Sequence, residues 1–390
     1  MLSSRTNHES VGMCVSGGLS SLAVAAFLAE AGVDTTAFVA NLGQVPRQEI
    51  GALARSLESS GLKTVVVDLR DSMAEFALDL VRYQARYEGG YWNTTSGSRM
   101  VLVSGLAEVI RGAGCTALGH GCVGGGNDQR RFDRYVAQLA PDLRVIAPWT
   151  EPELLERFPS RSAMADYLAA RGLAGDERCT ADYSVDGNVA GFAHEGSELE
   201  RLETADSAAR PVLTVPPWQA PDRPEPVRVT VDGGRPAKLG CQAGSARELL
   251  TLANAIAGRN GVGLRSVVED RINGTKCRGM YEAPGLDLLG FCVSRVYQVS
   301  VDKPARQLMS TLSELIGRGI YEGRYLDPEI RAARSAADVL IAGADASAEV
   351  TVIAYKGSLS FGGLTHRGNG SLPARQTRFS AGGHYWQVTS

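Results

Sequence analysis

Two rhythms of apolar positions alternate along the first 150 residues. Short β-branched runs predict strands at Val11–Val15, Thr36–Ala40, Thr64–Asp68, Thr116–Gly119 and Arg144–Pro148. Longer stretches with helical spacing predict helices at Leu19–Glu30, Arg47–Ser59, Ser72–Arg86 and Gly97–Gly112, the first of them stopped at Gly32. Strands separated by helices pair in parallel through right-handed crossovers, so this half predicts a doubly wound parallel-sheet α/β domain. In such a sheet the ligand sits beyond the carboxyl ends of the strands.

The pattern changes near Glu151. Six of the sixteen residues from Pro211 to Pro226 are proline, which predicts an extended connector. Beyond it, Val227–Val231, the turn Asp232-Gly233-Gly234 and a helix at Ser245–Gly258 predict an α+β unit. The expected division is residues 1–165, then 166–360, then a Gly-, Ser- and Arg-rich tail over 361–390 suited to an oligomer contact.

Composition narrows the function classes. The chain has 390 residues, 44% hydrophobic and 21% charged, which excludes a disordered or fibrous protein. Forty basic against forty-three acidic side chains leave a net charge of −3, with no bulk electrostatic case for nucleic acid or an anionic membrane surface. No apolar run reaches the roughly 18 residues of a membrane span. The seven cysteines are odd in number, scattered and never spaced CxxC. They argue against a disulfide framework or zinc knuckle and for a reducing, cytoplasmic compartment. The first ten residues carry no apolar signal segment, in line with that expectation.

Two glycine loops carry the candidate chemistry. Ser16-Gly17-Gly18-Leu19-Ser20-Ser21 lies between the first strand and the first helix. Its backbone N–H groups, the helix N-terminus and three hydroxyls suit phosphate oxygens. It is neither a GK[ST] loop nor a GxGxxG fingerprint, and a serine-capped turn is the plain alternative. His120 to Phe132 follows the fourth strand with Asn127 as donor and acceptor, Asp128 as acceptor and Arg131 as a fork for carboxylate. A solvated loop is its plain alternative. Against that stands co-location, since both loops fall at strand carboxyl ends of one sheet.

At this level of detail the chain resembles the argininosuccinate synthase family of N-type ATP pyrophosphatases. Ser16-Gly17-Gly18-Leu19 is similar to the start of the family's SGGLDTS loop, and Ala40-Asn41-Leu42-Gly43-Gln44 to its A-[DN]-[LI]-G-Q segment. Tyr87-Glu88-Gly89-Gly90-Tyr91 with Thr95, Ser96 and Arg99 resembles its YEGRY stretch. His120 to Phe132 resembles HGCTGKGNDQVRF, and Val145 to Trp149 repeats VIAPW. Tyr183-Ser184-Val185-Asp186 with Asn188, Gly261-Val262-Gly263, Val268 to Arg271 and Arg278 to Glu282 complete the series in order.

The resemblance implies an ATP-dependent ligase. The ureido oxygen of citrulline attacks the α-phosphorus of ATP, pyrophosphate leaves, and the amine of aspartate displaces AMP to give argininosuccinate. It implies ATP contacts at Ser16, Gly17, Gly18, Leu19, Ser20, Ser21, Ala40 and Gly121. Citrulline would meet Tyr91, Ser96, Asn127, Arg131, Ser184, Ala193, Glu269 and Tyr281, and aspartate Val123, Asn127 and Asp128. Asp128 and Arg131 are the expected catalytic pair. Magnesium would accompany the nucleotide rather than a protein ligand set, and a homotetramer is the expected assembly.

Four departures bear on activity. Ser20-Ser21-Leu22 replaces the family's Asp-Thr-Ser, removing an acid and a hydroxyl. Val123 replaces a threonine, deleting a hydrogen bond worth about 1.5–3 kcal/mol if it meets a carboxylate. Gly125 replaces a lysine, and Ala190-Gly191-Phe192 a Trp-Gly-Arg stretch, while Ala193 is a mild change. Two alternatives therefore stay open beside the synthase: a paralogue using a different amine or ureido substrate, and a non-catalytic nucleotide- or amino-acid-binding protein.

Overall fold

A computed structural model describes residues 9–44, 50–173 and 183–366. The opening of the helix expected from Arg47, Cys179 and the tail from 367 lie outside the described residues. Five strands, β1 (Ser10–Cys14), β2 (Asp34–Asn41), β3 (Lys63–Asp68), β4 (Ala117–His120) and β5 (Arg144–Ile146), form the first sheet. Its order is β3-β2-β1-β4-β5, and every neighbouring pair is parallel, as the alternation of runs predicts.

Helices α1 (Leu19–Glu30), α2 (Ile50–Ser59), α3 (Arg70–Tyr83), α4 (Thr94–Gly112), α5 (Asn127–Leu139), α6 (Pro152–Arg157) and α7 (Arg161–Ala169) cover this sheet. Helix α1 is apolar nearly all round because it lies between the sheet and α7, in a core with Trp149, Phe158 and Leu168. The opposite face of the sheet opens into a larger core. That core continues from Phe38, Met73 and Leu106 into the second half of the chain.

The second half holds two antiparallel sheets. One has the order β10-β9-β8-β13-β14, from β8 (Glu225–Asp232), β9 (Arg235–Leu239), β10 (Gln242–Ala243), β13 (Ala348–Tyr355) and β14 (Ser358–His366). Along β8, Val227, Val229 and Val231 point inward in strict alternation. Strand β14 takes in the first residues of the expected tail. The other sheet is β11-β12-β7-β6, from β6 (Ser184–Asn188), β7 (Gly191–Glu195), β11 (Leu264–Asp270) and β12 (Lys276–Glu282).

Helices α8 (Ala246–Arg259) and α9 (Pro284–Ser300) pack on the five-stranded antiparallel sheet and against α3, and α10 (Lys303–Tyr321) and α11 (Pro328–Gly343) pack on each other, α10 also meeting α3 and α4. Helix α8 begins where the pattern places it, with Ser245 and Glu248 closing a capping box. The proline-rich connector is held at its start by a buried carboxylate. Glu282, fully buried at the end of β12, accepts from the backbone N–H groups of Val212 (2.9 Å), Leu213 (2.6 Å) and Thr214, and from the Thr214 hydroxyl. His194 Nε2 approaches its other side at 3.4 Å.

Candidate active site

The two glycine loops touch at the carboxyl edge of the parallel sheet. A Cβ on Gly121 would stand 2.5 Å from Ser21 Cα, so only glycine lets the second loop lie against the first. Gly17, at φ +86°, turns the chain from β1 into α1. Gly18 is the N-cap of α1 and has no side-chain cap, and the first turn holds no acid, so the helix end keeps its positive character. The Ser21 hydroxyl donates to Gly18 O (3.0 Å) and accepts from Ser16 N (3.2 Å), bracing the loop, while Ser16 itself is exposed. Leu19 is buried, Ser20 is half-buried, and Ala40 lies buried at the end of β2 with its carbonyl accepting from Gln44 Nε2.

From the second loop, α5 leads directly into a cluster of charges and tyrosines. Asp128 stands between two arginines: Arg99 Nη2 from α4 at 2.7 Å and Arg131 Nη1 at 2.7 Å. Arg99 also pairs with Asp186 on β6. Burial opposes the charge on Asp128, yet the two guanidiniums outweigh it and hold the carboxyl below the ordinary carboxylate range. Asn127 donates through Nδ2 to the Tyr321 hydroxyl (3.0 Å) and accepts the Ile272 N–H through Oδ1 (3.0 Å).

Glu269 on β11 is 3% exposed and receives the Tyr321 hydroxyl at 2.6 Å, while its Oε2 is buried with no hydrogen-bond partner among the described residues. Tyr281 stacks on Tyr91 at 3.8 Å between ring centres and directs its hydroxyl to Glu195 Oε1 at 3.4 Å. Glu195 is exposed at the end of β7, with protein packed closely about its carboxyl. Crowding by the surrounding protein, then the negative charge of Glu269, push its carboxyl up to about 7.

Tyr91, Ser96, Asn127, Asp128, Arg131, Ala193, Glu269 and Tyr281 thus form one connected cluster. Ala193 faces Tyr281 across the β7–β12 register, and Ser184 is exposed opposite Glu195. Within it, the Tyr91 hydroxyl accepts from the N–H groups of Thr95 (3.2 Å) and Ser96 (3.0 Å), capping α4. Val123 lies at the loop tip, 68% exposed and away from the buried residues of the cluster.

Both halves of the chain match described families in register with this geometry. Residues 10–174 match the Arginosuccinate synthase N-terminal HUP domain, and residues 183–367 the Arginosuccinate synthase C-terminal domain. The chain belongs to the argininosuccinate synthase family. An argininosuccinate synthase of Idiomarina loihiensis is 37% identical over 91% of this chain and 87% of its own length. Those of Shewanella halifaxensis and Shewanella pealeana are each 34% identical, over 91% and 92% of this chain and 86% of theirs.

Against the family's loop, the altered residues now have places. Leu22 is a core side chain, 1% exposed in α1, so exchanging a hydroxyl for it acts on packing. Phe192 is fully buried over Gly187, where a Cβ would stand 2.2 Å from its ring, so an apolar residue replaces the family's arginine inside the β6–β7 hairpin. Gly125, at φ +74° and exposed, donates its N–H to Gln129 Oε1 at 2.6 Å.

Sequence reasoning missed four participants. Arg99 and Asp186 stood inside recognised motifs without a role, and their opposite charges were the available signal. Glu195 follows Ala193 by two positions on the same strand, on the same face. Tyr321 lies beyond the last motif and gave no signal at all. Among the described residues, no group of three or more His, Cys, Asp or Glu side chains is arranged to hold a metal ion, and no helix is long and apolar enough to cross a membrane.

Proposed function

We propose that this chain is an ATP-dependent carbon–nitrogen ligase joining citrulline to aspartate, with AMP and pyrophosphate released. The observation that carries this reading is the meeting of the two glycine loops at Ser21 and Gly121, with α5 running from them into Asn127, Asp128 and Arg131. A nucleotide's phosphates and an amino acid's charged groups are thereby offered adjoining ground.

The chemistry needs no protein nucleophile, only alignment and charge stabilisation at phosphorus. In this reading the N–H groups of residues 16–21 and the hydroxyls of Ser16 and Ser20, with Ala40 and Gly121, hold ATP and receive the departing pyrophosphate, while the Ser21 hydroxyl, its proton given to Gly18 O, braces the loop. Magnesium, carried by the nucleotide's phosphates, shares that charge. The hydroxyls of the first loop suit phosphate oxygens better than a metal ion.

Citrulline lies against Tyr91, Ser96, Asn127, Arg131, Ser184, Ala193, Glu269 and Tyr281. The carboxylates of Glu195 and Glu269 suit its ammonium group, and Arg131 suits its carboxylate. Aspartate meets Val123, Asn127 and Asp128, where the Arg99–Asp128–Arg131 array fixes donors and acceptor in place. The six cysteines among the described residues are free, which fits the cytoplasm, and a homotetramer is the expected assembly.

The test is pyrophosphate release from ATP and magnesium with citrulline, with and without aspartate, products read by mass. Argininosuccinate formed only when all three substrates are present supports the reading. Pyrophosphate release without argininosuccinate would instead assign a different amine, and silence in both reactions would overturn the ligase reading.

A further inference from the structure

One residue outside every recognised motif joins three of the expected citrulline groups. Tyr321 ends α10 and is 1% exposed. Its carbonyl accepts Arg131 Nε at 2.7 Å, and its ring lies under the Arg131 guanidinium at 4.8 Å and against Tyr87 at 3.8 Å. Its hydroxyl sits between Asn127 Nδ2 (3.0 Å) and Glu269 Oε1 (2.6 Å).

The directions of these bonds are fixed by the donors available. The Ile272 N–H can meet only an oxygen, so Asn127 must present Oδ1 to it and Nδ2 to Tyr321. The phenol accepts there and has one proton left, which goes to Glu269. Four groups from three parts of the chain form one directional series: Ile272, Asn127, Tyr321, Glu269. Such series strengthen along their length in a low-dielectric interior. The series ends with Glu269 Oε1 occupied and Glu269 Oε2 buried without a partner among the described residues. A buried orphan acceptor of this kind is where a ligand N–H belongs.

We propose that Tyr321 is a positioning residue whose hydroxyl orients the Glu269 carboxylate and the Asn127 amide, leaving Glu269 Oε2 as the acceptor for an N–H of citrulline. The proposal deepens the citrulline reading above and rests on it only for the identity of the ligand. The groups that face Glu269 are Tyr321 from α10, Tyr281 and Cys277 from β12, Arg131 from α5 and Glu195 from β7. Burial raises the Glu269 carboxyl, and the Tyr321 hydroxyl is the foremost of the groups lowering it. Removing that donor therefore moves the titration of Glu269 to higher pH.

The experiment uses the full chain with Tyr321→Phe, which keeps the ring stacked on Tyr87. Glutamate carboxyl resonances are followed by 13C NMR against pH, with Glu269→Gln identifying the signal. The expected result is an upward move of the Glu269 titration. The KM for citrulline should rise about tenfold with the KM for ATP unchanged, and the acid limb of kcat/KM should move the same way. In a Glu269→Gln background, Tyr321→Phe should cost much less. An unmoved carboxyl titration, or equal losses in both backgrounds, overturns the proposal. A moved titration in a protein without citrulline-dependent turnover upholds the positioning role and removes the ligand assignment instead.

Discussion

Replacing Glu282 by glutamine should loosen the second half of the chain by several kcal/mol while leaving its side-chain shape intact. The carboxylate accepts four hydrogen bonds from Val212, Leu213 and Thr214 in a fully buried position. Glutamine retains one oxygen. Its NH2 would then face a backbone N–H, leaving a buried donor without an acceptor at about 1–3 kcal/mol. The bonds that remain lose their charge assistance, roughly half the strength of each. Together these give about 3–5 kcal/mol, a large share of the ~5–15 kcal/mol that holds a typical domain folded. Urea unfolding followed by circular dichroism measures it, with the midpoint falling and the slope unchanged. The pH dependence adds a second signature. Burial opposes the Glu282 charge, but its donors lower the carboxyl in the folded state. The stabilisation is therefore present above the unfolded carboxyl value of about 4.3 and is lost as pH falls through the lower folded one. The gap between the two proteins should shrink on acidification. A gap under about 1 kcal/mol at pH 7, or one that is constant down to acid, would refute the anchoring role.

Three further outcomes follow from the site. Val123→Thr restores a hydroxyl at an exposed position; the KM for aspartate should fall about tenfold or more with unchanged thermal stability, and no change would remove Val123 from the aspartate site. Asp128→Asn strips Arg99 and Arg131 of their shared counter-ion, so kcat/KM for aspartate should drop about 100-fold, and steady-state kinetics with near-native activity would count against the array. Because crowding, then the charges of Glu269, Asp128 and Asp186, push the Glu195 carboxyl up to about 7 against the opposing pull of Arg131, citrulline affinity by calorimetry should strengthen as pH rises through that value. Glu195→Gln should abolish the inflection.

Legibility was uneven, for physical reasons. The inner strands β1, β2 and β4 are buried on both faces and, with the helices α1 to α4, announce themselves as β-branched runs between helical stretches; α1 matches its expected span residue for residue, whereas α5 to α7 are not among the expected helices. Ser245 with Glu248 marks the start of α8 just as plainly. Strands β6, β7, β11 and β12 read as motifs rather than as a sheet, because Gly187, Gly191 and Gly279 interrupt their alternation and the β7–β12 pairing that joins the two hairpins is remote in sequence. The helices α9 to α11 take their meaning from a core shared with the first half, which local pattern does not reveal. In the site, order along the chain pointed to residues from Ser16 to Tyr281. Tyr321 acquires its neighbours only when α10 folds back over α5 and β11, so no spacing rule could have found it.

The contact between Gly121 and Ser21 has a consequence for descent as well as for folding. With backbone packed on backbone, neither loop can change its course without the other giving way. New chemistry at Ser20, Val123 or Gly125 therefore has to come from exchanging residues without rerouting either backbone. Substitution can thus change the chemistry the two loops present while their paired path stays fixed.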